Sequence, residues 1–265
     1  MKCVGLAIPA SRIDDRFIVA LVHALAEPLI LSGHTLITKV VRDDREEEEL
    51  YRHWAEVGGV AGVALLGVGE GDPRPLLLGT LGFPIAAVIN TGVDVDFPAV
   101  EVDFEASIAV LAEFLDSRPP RPTVYITGVE TSSTSSARDT ATTNAALAGL
   151  FEVVRIDHST DGAVAAASSA ISDGPATLIF DSDVQAAATL AALRARGLRV
   201  PEDVAIVSWT NSALCQSTSR PITAIDRRGS EIGAMLGRRV LAAIAGDFGT
   251  HDRAPRPYVV AGMTA

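Results

Sequence analysis

The sequence predicts an α/β protein built as two doubly wound, parallel-sheet lobes, and three observations lead there. Hydrophobic residues make up 48% of the 265 residues and aromatics only 5%. The core must therefore be assembled from Ala, Val, Leu and Ile. Short apolar runs such as VGLAI, GVALLGV, IAAVIN, ATLIF and VAIVSW alternate with longer amphipathic stretches, as buried parallel strands joined by helices do. The alternation is interrupted by a stiff RPPRPT segment and then begins again.

Each element follows from its residues. VGLAI is the first strand, and Phe17 to Ser32 is an apolar helix stopped by Gly33. Pro28 inside it implies a kink or an earlier boundary, because an interior proline costs about 3 kcal/mol. TLITKVV is a strand. DREEEELYRHWAEVG is a helix whose acids suit the positive end of the dipole and read as a solvated face. GVALLGV, IAAVIN and AVEV are strands, with PRPLLLGTLG a helical connection between the first two. FEASIAVLAEFLDS is an amphipathic helix.

After the proline-rich segment come strand TVYITG, helix SARDTATTNAALAG, strand FEVVRI, helix DGAVAAASSAIS and strand ATLIF. Asp183 is placed to cap the next helix, whose apolar face is expected at Val184, Ala187, Ala188 and Ala191. Arg194 and Arg196 fall in its last turn, Gly197 supplies a left-handed stop, and Pro201 prevents resumption. VAIVSW is then a strand, which completes a βαβ unit of right-handed crossover. TAID, helix GSEIGAMLGRRVLAAIAG and strand RPYVVAG finish the chain.

Several function classes are excluded or left without support. The formal net charge of -11 repels phosphate backbones, so this chain is not expected to grip nucleic acid by itself. Cys3 and Cys215 form no metal-ligand spacing, the histidines show no HExxH pattern, and no cofactor is expected. GVGEGD misses the dinucleotide spacing, and TSSTSSAR lacks a nucleophile elbow, so no enzyme is indicated. The first apolar run ends at Pro9 and meets Asp14 and Asp15 too soon for a secretory signal. No run of about 18 uncharged apolar residues indicates a membrane span. The expected location is the cytoplasm.

In doubly wound sheets, ligands collect beyond the carboxyl ends of the strands. The residues expected there are Ser11 to Phe17 after the first strand, Asp103 after AVEV, and Asp181, Ser182 and Asp183 after ATLIF. Thr210 and Asn211 follow VAIVSW, and Arg138 lies in the first turn after TVYITG. Together they favour a cleft for a polar small molecule between the lobes.

The stretch ALRARGLRVPEDVAIVSW, followed by RPITAID and a helix containing EIG, resembles the effector-binding region of LacI/GalR-type transcriptional regulators. VGLAIP, TVYITG with its S-S-A-R, and FDSDVQAAATLAAL fit the same pattern in order across essentially the whole chain. The resemblance implies a periplasmic binding protein-like fold of type I. One lobe is expected from residues 1–116 plus 229–250, the other from 117–228 plus 251–265. It implies a sugar- or nucleoside-like effector, with Arg138 clamping hydroxyls or carboxylates and Asp103 accepting from the ligand. A guanidinium fork and a carboxylate together satisfy adjacent hydroxyls. Phe17 matches an aromatic that covers a sugar or base face, and His158 falls near the cleft by rough alignment.

The chain also departs from that family. Ser182-Asp183 stands where many members have Asn-Asp, and Thr210 stands where many have aspartate, which puts a typical hexose or galactoside in doubt. Family members carry a helix-turn-helix headpiece before the first strand, whereas strand one here starts at Val4. The expected reading is the sensory region of a longer regulator, with a natural form lacking the DNA reader as the alternative. Operator DNA is then met only through that headpiece, and a homodimer is implied. A sugar-uptake binding protein of the same fold is the rival function.

Each candidate also has a structural role open to it. Arg138 beside Asp139 can be a surface ion pair. Asp103 can cap the FEASIAVL helix while meeting the ligand through its second oxygen. Asp183 reads first as a cap, Thr210 and Asn211 as loop residues, and Phe17 equally as core. Trp209 is a core candidate that can also line a pocket.

Overall fold

Chain direction organises the molecule, because every strand but one runs parallel to its sheet neighbours. A computed structural model describes residues 2–13, 15–128, 137–157, 159–249 and 251–265, and at 137–139 the backbone alone. The chain lays down β1 (Lys2–Pro9), α1 (Arg16–Leu31), β2 (His34–Val41), α2 (Asp44–Val57), β3 (Val60–Val68), α3 (Pro73–Thr80), β4 (Ile85–Asn90) and β5 (Ala99–Val102). It continues through α4 (Phe104–Asp116), β6 (Thr123–Gly128), α5 (Ala137–Leu147), β7 (Glu152–Ile156), α6 (Thr160–Ala170), β8 (Ala176–Phe180), α7 (Asp183–Ala195), β9 (Val204–Ser208), α8 (Ala213–Ser217) and β10 (Thr223–Asp226). Then come α9 (Gly229–Ile244), β11 (His251–Arg253) and β12 (Tyr258–Val260).

Two compact units result, Met1–Asp103 with Arg228–Pro255 and Phe104–Arg227 with Arg256–Ala265. The first contains a sheet of order β11-β5-β4-β3-β1-β2, the second one of order β12-β10-β9-β8-β6-β7. The division differs from the expected one at two places. α4 packs on α5 and β12 of the second unit, although the proline-rich segment that reads as a connector follows it. β11, expected with the second lobe, pairs with β5 in the first.

In the first unit, α1 and α9 cover one face of the sheet around Val4, Leu6, Leu21, Leu25 and Leu236. The other face buries Tyr51, Trp54, Val63 and Leu78 beneath α2 and α3. α9 approaches α1 unusually closely. A Cβ at Gly233 falls 2.1 Å from the Leu21 carbonyl oxygen, and one at Gly237 falls 2.5 Å from the Pro28 ring. Pro28 therefore sits inside α1 with its ring filling the space left by Gly237. The acidic face of α2 is solvated through exposed pairs such as Arg45–Glu49. Glu47 is the exception: it is buried and accepts from Tyr51 Oη and, at 3.3 Å, from Arg74. Arg74 also pairs with Asp72, the N-cap of α3, at 2.7 Å and donates to the Leu66 carbonyl at 3.2 Å. Burial opposes the Arg74 charge, but the Asp72 hydrogen bond and the Glu47 charge outweigh it and hold the guanidinium above its ordinary range.

In the second unit, α6 and α7 cover a core of Ile126, Leu178, Phe180, Leu190 and Ile206. α4 and α5 cover Tyr125, Phe151, Ile179, Trp209 and Ile225 on the opposite face. β12 lies antiparallel to β10, because the tail returns along the edge strand. Thr264 fixes that return, donating to the Ile206 carbonyl at 2.6 Å and accepting from the Thr223 N–H at 2.9 Å.

α7 corrects two expectations. Its N-cap is Ser182, which makes no side-chain capping bond, and Asp183 is the first helical residue. Its sheet-facing residues are Ala186, Leu190 and Leu193, whereas Val184 is 44% exposed. The alanine-rich sequence offers nearly the same hydrophobicity on several faces, so the large leucines decide the orientation. Gly197 stops the chain at φ 85, as expected. Asp183 is buried, with one oxygen accepting from the Val184 N–H at 2.9 Å. The other accepts from Ser212 Oγ at 2.6 Å, and Ser212 in turn caps α8 by accepting from the Cys215 N–H.

Two substitutions test these contacts. Gly233→Ala forces the Leu21 carbonyl aside and is expected to lower stability by about 1–3 kcal/mol in urea denaturation. Ser212→Ala removes one donor to the buried Asp183 and uncaps α8, and should lower stability by about 1–3 kcal/mol. The same variant should label faster at Cys215, whose thiol is pushed up chiefly by burial.

Candidate functional site

Parallel strand order brings the carboxyl ends of β6, β8, β9 and β10 to one edge of the second sheet. The ladder continues past the strand ends there. The Asp181 N–H donates to the Ile126 carbonyl at 3.1 Å, Trp209 N–H to Phe180 at 2.8 Å, and Asn211 N–H to Ile225 at 2.9 Å. Residues 181–183, 208–212 and 226–227 are thereby set side by side on rigid backbone.

Their side chains form linked donor and acceptor sets. Asp181 accepts from Tyr125 Oη and Thr127 Oγ1, both at 3.3 Å. Thr210 is buried, and its hydroxyl accepts from Arg227 Nη2 at 3.1 Å. Asn211 donates to Asp226 at 3.1 Å and accepts from Gln216 at 2.9 Å, while Tyr258 Oη donates to Asp226 at 3.3 Å. Ser208 Oγ donates to the Thr210 carbonyl at 2.9 Å and so braces the turn after β9. Carboxylates, a guanidinium, hydroxyls and an amide within one edge can bind a small molecule carrying both donors and acceptors.

Of the sequence candidates, Ser182, Asp183, Thr210 and Asn211 are brought together on this edge. Asp183 accepts from Ser212 Oγ and from the Val184 N–H at the start of α7. Ser182 is partly exposed, with its hydroxyl making no capping bond. Arg138 lies in the first turn of α5, which follows β6, but its side chain is outside the described residues, and so is His158. Asp181, Asp226 and Arg227 join the edge as well. Asp181 is among the residues that the sequence places beyond the carboxyl end of β8. Asp226 and Arg227 escape sequence reasoning because TAID ends at a short, weakly patterned strand.

The remaining candidates belong to the first unit. Ser11 lies exposed in a short 3-10 turn after β1. Asp103 is exposed, directly after β5 and before α4. β3 and β4 separate β1 from β5, so Ser11 and Asp103 share an edge but stand about 14 Å apart on strand spacing. Phe17 is half-buried, lies against the first turn of α9 and joins the core there, with a Cβ on Gly229 falling 3.0 Å from its ring. Its N–H is capped by Asp15 at 2.9 Å. Among the described residues no group of three or more His, Cys, Asp or Glu is arranged to hold a metal ion. No helix among them is long and apolar enough to cross a membrane.

Comparison with known proteins places this geometry. Residues 112–264 match the family described as periplasmic binding protein-like domain. The regulator CelR of Thermobifida fusca is 35% identical over 66 residues, covering 25% of this chain and 19% of that protein. MalR of Streptomyces coelicolor is 30% identical over 95 residues, covering 36% of this chain and 28% of that protein. The matched segments thus span well under a third of either regulator. A LacI family regulator from Bifidobacterium animalis superposes with a TM-score of 0.84 at 23% identity, covering 99% of this chain and 97% of that one. A CelR–cellobiose complex superposes with a TM-score of 0.78 at 23% identity, covering 100% and 85%. The chain belongs to the periplasmic binding protein-like domain family and has the fold of the effector-binding domains of LacI-type regulators.

Proposed function

We propose that this chain is the sensing region of a LacI-type transcriptional regulator and that it binds a small polar effector, sugar-like or nucleoside-like. The observation that carries the reading is the convergence of Asp181, Thr210, Asn211, Asp226 and Arg227 on the carboxyl edge of one parallel sheet. Backbone ladders hold that edge, so its polar groups are positioned before a ligand arrives and little ordering is needed on binding. The cellobiose in the related CelR complex supports a sugar as the first class to test. Thr210 in place of a carboxylate offers both a donor and an acceptor and gives up a charge, which favours a ligand other than a simple hexose.

On this reading Arg138 and Ser182 belong to the effector's surroundings on the same edge. Binding changes the affinity of a DNA-reading segment for its operator in a cytoplasmic homodimer. The size of that coupling is bounded by the effector's differential affinity for the two states of the regulator.

A thermal-shift screen over neutral sugars, sugar acids and nucleosides tests the reading. A true effector stabilises the native state by about 2.7 kcal/mol at a hundredfold excess over its Kd. Arg138→Ala should abolish that shift while leaving unliganded stability within about 0.5 kcal/mol. A large loss of stability with retained affinity would make Arg138 structural. Light scattering should report twice the 27.6 kDa chain mass at micromolar concentration. A monomer there counts against the dimer.

A further inference from the structure

We propose that Tyr258 is a specificity-determining residue of the effector site, its exposed ring a platform on which the outer ring of a two-ring sugar stacks. The inference rests on the functional reading above and deepens it by naming the size and class of the effector.

Tyr258 opens β12, where the returning tail pairs with β10, and stands directly opposite Asp226 in that ladder. Asp226 is the last residue of β10, so Tyr258 lies at the carboxyl edge of the second sheet. Opposed residues of an antiparallel pair share a face, with Cβ atoms about 5 Å apart. The Tyr258 hydroxyl accordingly reaches Asp226 and donates to Oδ2 at 3.3 Å. The same oxygen accepts from Asn211 Nδ2 at 3.1 Å, and Asn211 Oδ1 accepts from Gln216 Nε2 at 2.9 Å. Asp226 and Asn211 are half-buried, whereas Tyr258 is 46% exposed. Every other described aromatic of this unit is buried or half-buried.

A lone exposed tyrosine is ordinary, but this one is tethered at its tip to polar groups of the edge. The bond to Asp226 restricts the ring, so its accessible apolar surface is held in place with little ordering left to lose on binding. A pyranose suits such a surface, because its ring faces carry C–H groups and its rim carries hydroxyls. The C–H face covers the aromatic ring, while rim hydroxyls meet a carboxylate and an amide that between them accept and donate. The length of the edge sets the size. Asp181 follows β8 and Tyr258 is on β12, three strand intervals away, or about 14 Å at the usual spacing. One pyranose ring spans about one interval, so a molecule that touches both ends carries at least two.

Tyr258→Leu removes the platform, and Tyr258→Phe keeps it while deleting the bond to Asp226. Cellobiose, maltose, glucose and adenosine are titrated by calorimetry into the wild-type chain and both variants, with melting followed in parallel. A disaccharide should bind the wild type, and Tyr258→Leu should bind it about tenfold or more weakly. Tyr258→Phe should stay within about threefold of wild type, and both variants should melt within a few degrees of it. Glucose should bind more weakly than the disaccharide and change little in Tyr258→Leu. Equal disaccharide affinity in wild type and Tyr258→Leu overturns the assignment and leaves the functional reading standing. Binding of glucose or adenosine but of neither disaccharide does the same. An equal loss in both variants makes the hydroxyl the contact and overturns the platform. Loss of folded structure in Tyr258→Leu assigns the residue to the fold and also overturns it. If no probe binds the wild type, both the assignment and the sugar- or nucleoside-like reading fail.

Discussion

The parallel ladder is the constraint on which the rest of the structure depends. A parallel pair cannot be closed by a tight turn, so each strand must be followed by a crossover that returns over a sheet face. Right-handed crossovers then bury both faces and leave two edges where chain direction is uniform. At the carboxyl edge every strand ends by releasing its chain into a loop. Buried loop backbone there needs partners, and side chains such as Ser208 and Ser212 provide them. A polar edge is therefore a consequence of the architecture before it is a binding site. The functional content lies in polar groups beyond those needed to satisfy the backbone.

That distinction sorts the candidates. Asp183 bonds within its own neighbourhood, accepting from Ser212 Oγ and the Val184 N–H. Ser208 likewise braces its own turn. Thr210, Arg227 and Asp181 are different, because their bonds run from side chain to side chain across strands β6, β8, β9 and β10. Such bonds stabilise no turn and cap no helix. They orient groups relative to one another, as a preorganised polar surface requires.

The fold was legible because its signals are periodic and redundant. Apolar runs of five or six residues, glycine stops and the βαβ rhythm all point to the same answer, so VAIVSW and ATLIF could be assigned as buried strands from their residues alone. α7 shows where this fails: an alanine-rich helix carries too little contrast between its faces, and only the fit of Leu190 and Leu193 into the core sets its rotation. Glu47 was obscured by its surroundings, since one buried carboxylate in DREEEEL looks like its exposed neighbours until Tyr51 and Arg74 close around it. The α4 boundary was hidden for a related reason. Prolines mark stiffness, whereas the division between units is decided by which helix packs on which sheet.

The site was legible in outline by the same logic: strand ends can be counted, and whatever follows them shares an edge. Partner identity was not, because hydrogen bonds such as Asn211–Asp226 and Thr210–Arg227 join residues 15 and 17 apart in sequence. Those pairings also bear on what replacing a carboxylate by Thr210 does. An aspartate beside Arg227 would form a charged pair that satisfies the guanidinium and draws it in strongly. A hydroxyl accepts one weaker bond and keeps its own proton available. The threonine thus lowers the negative charge of the edge by one while the guanidinium keeps its own, so the balance shifts toward ligands richer in acceptor oxygens.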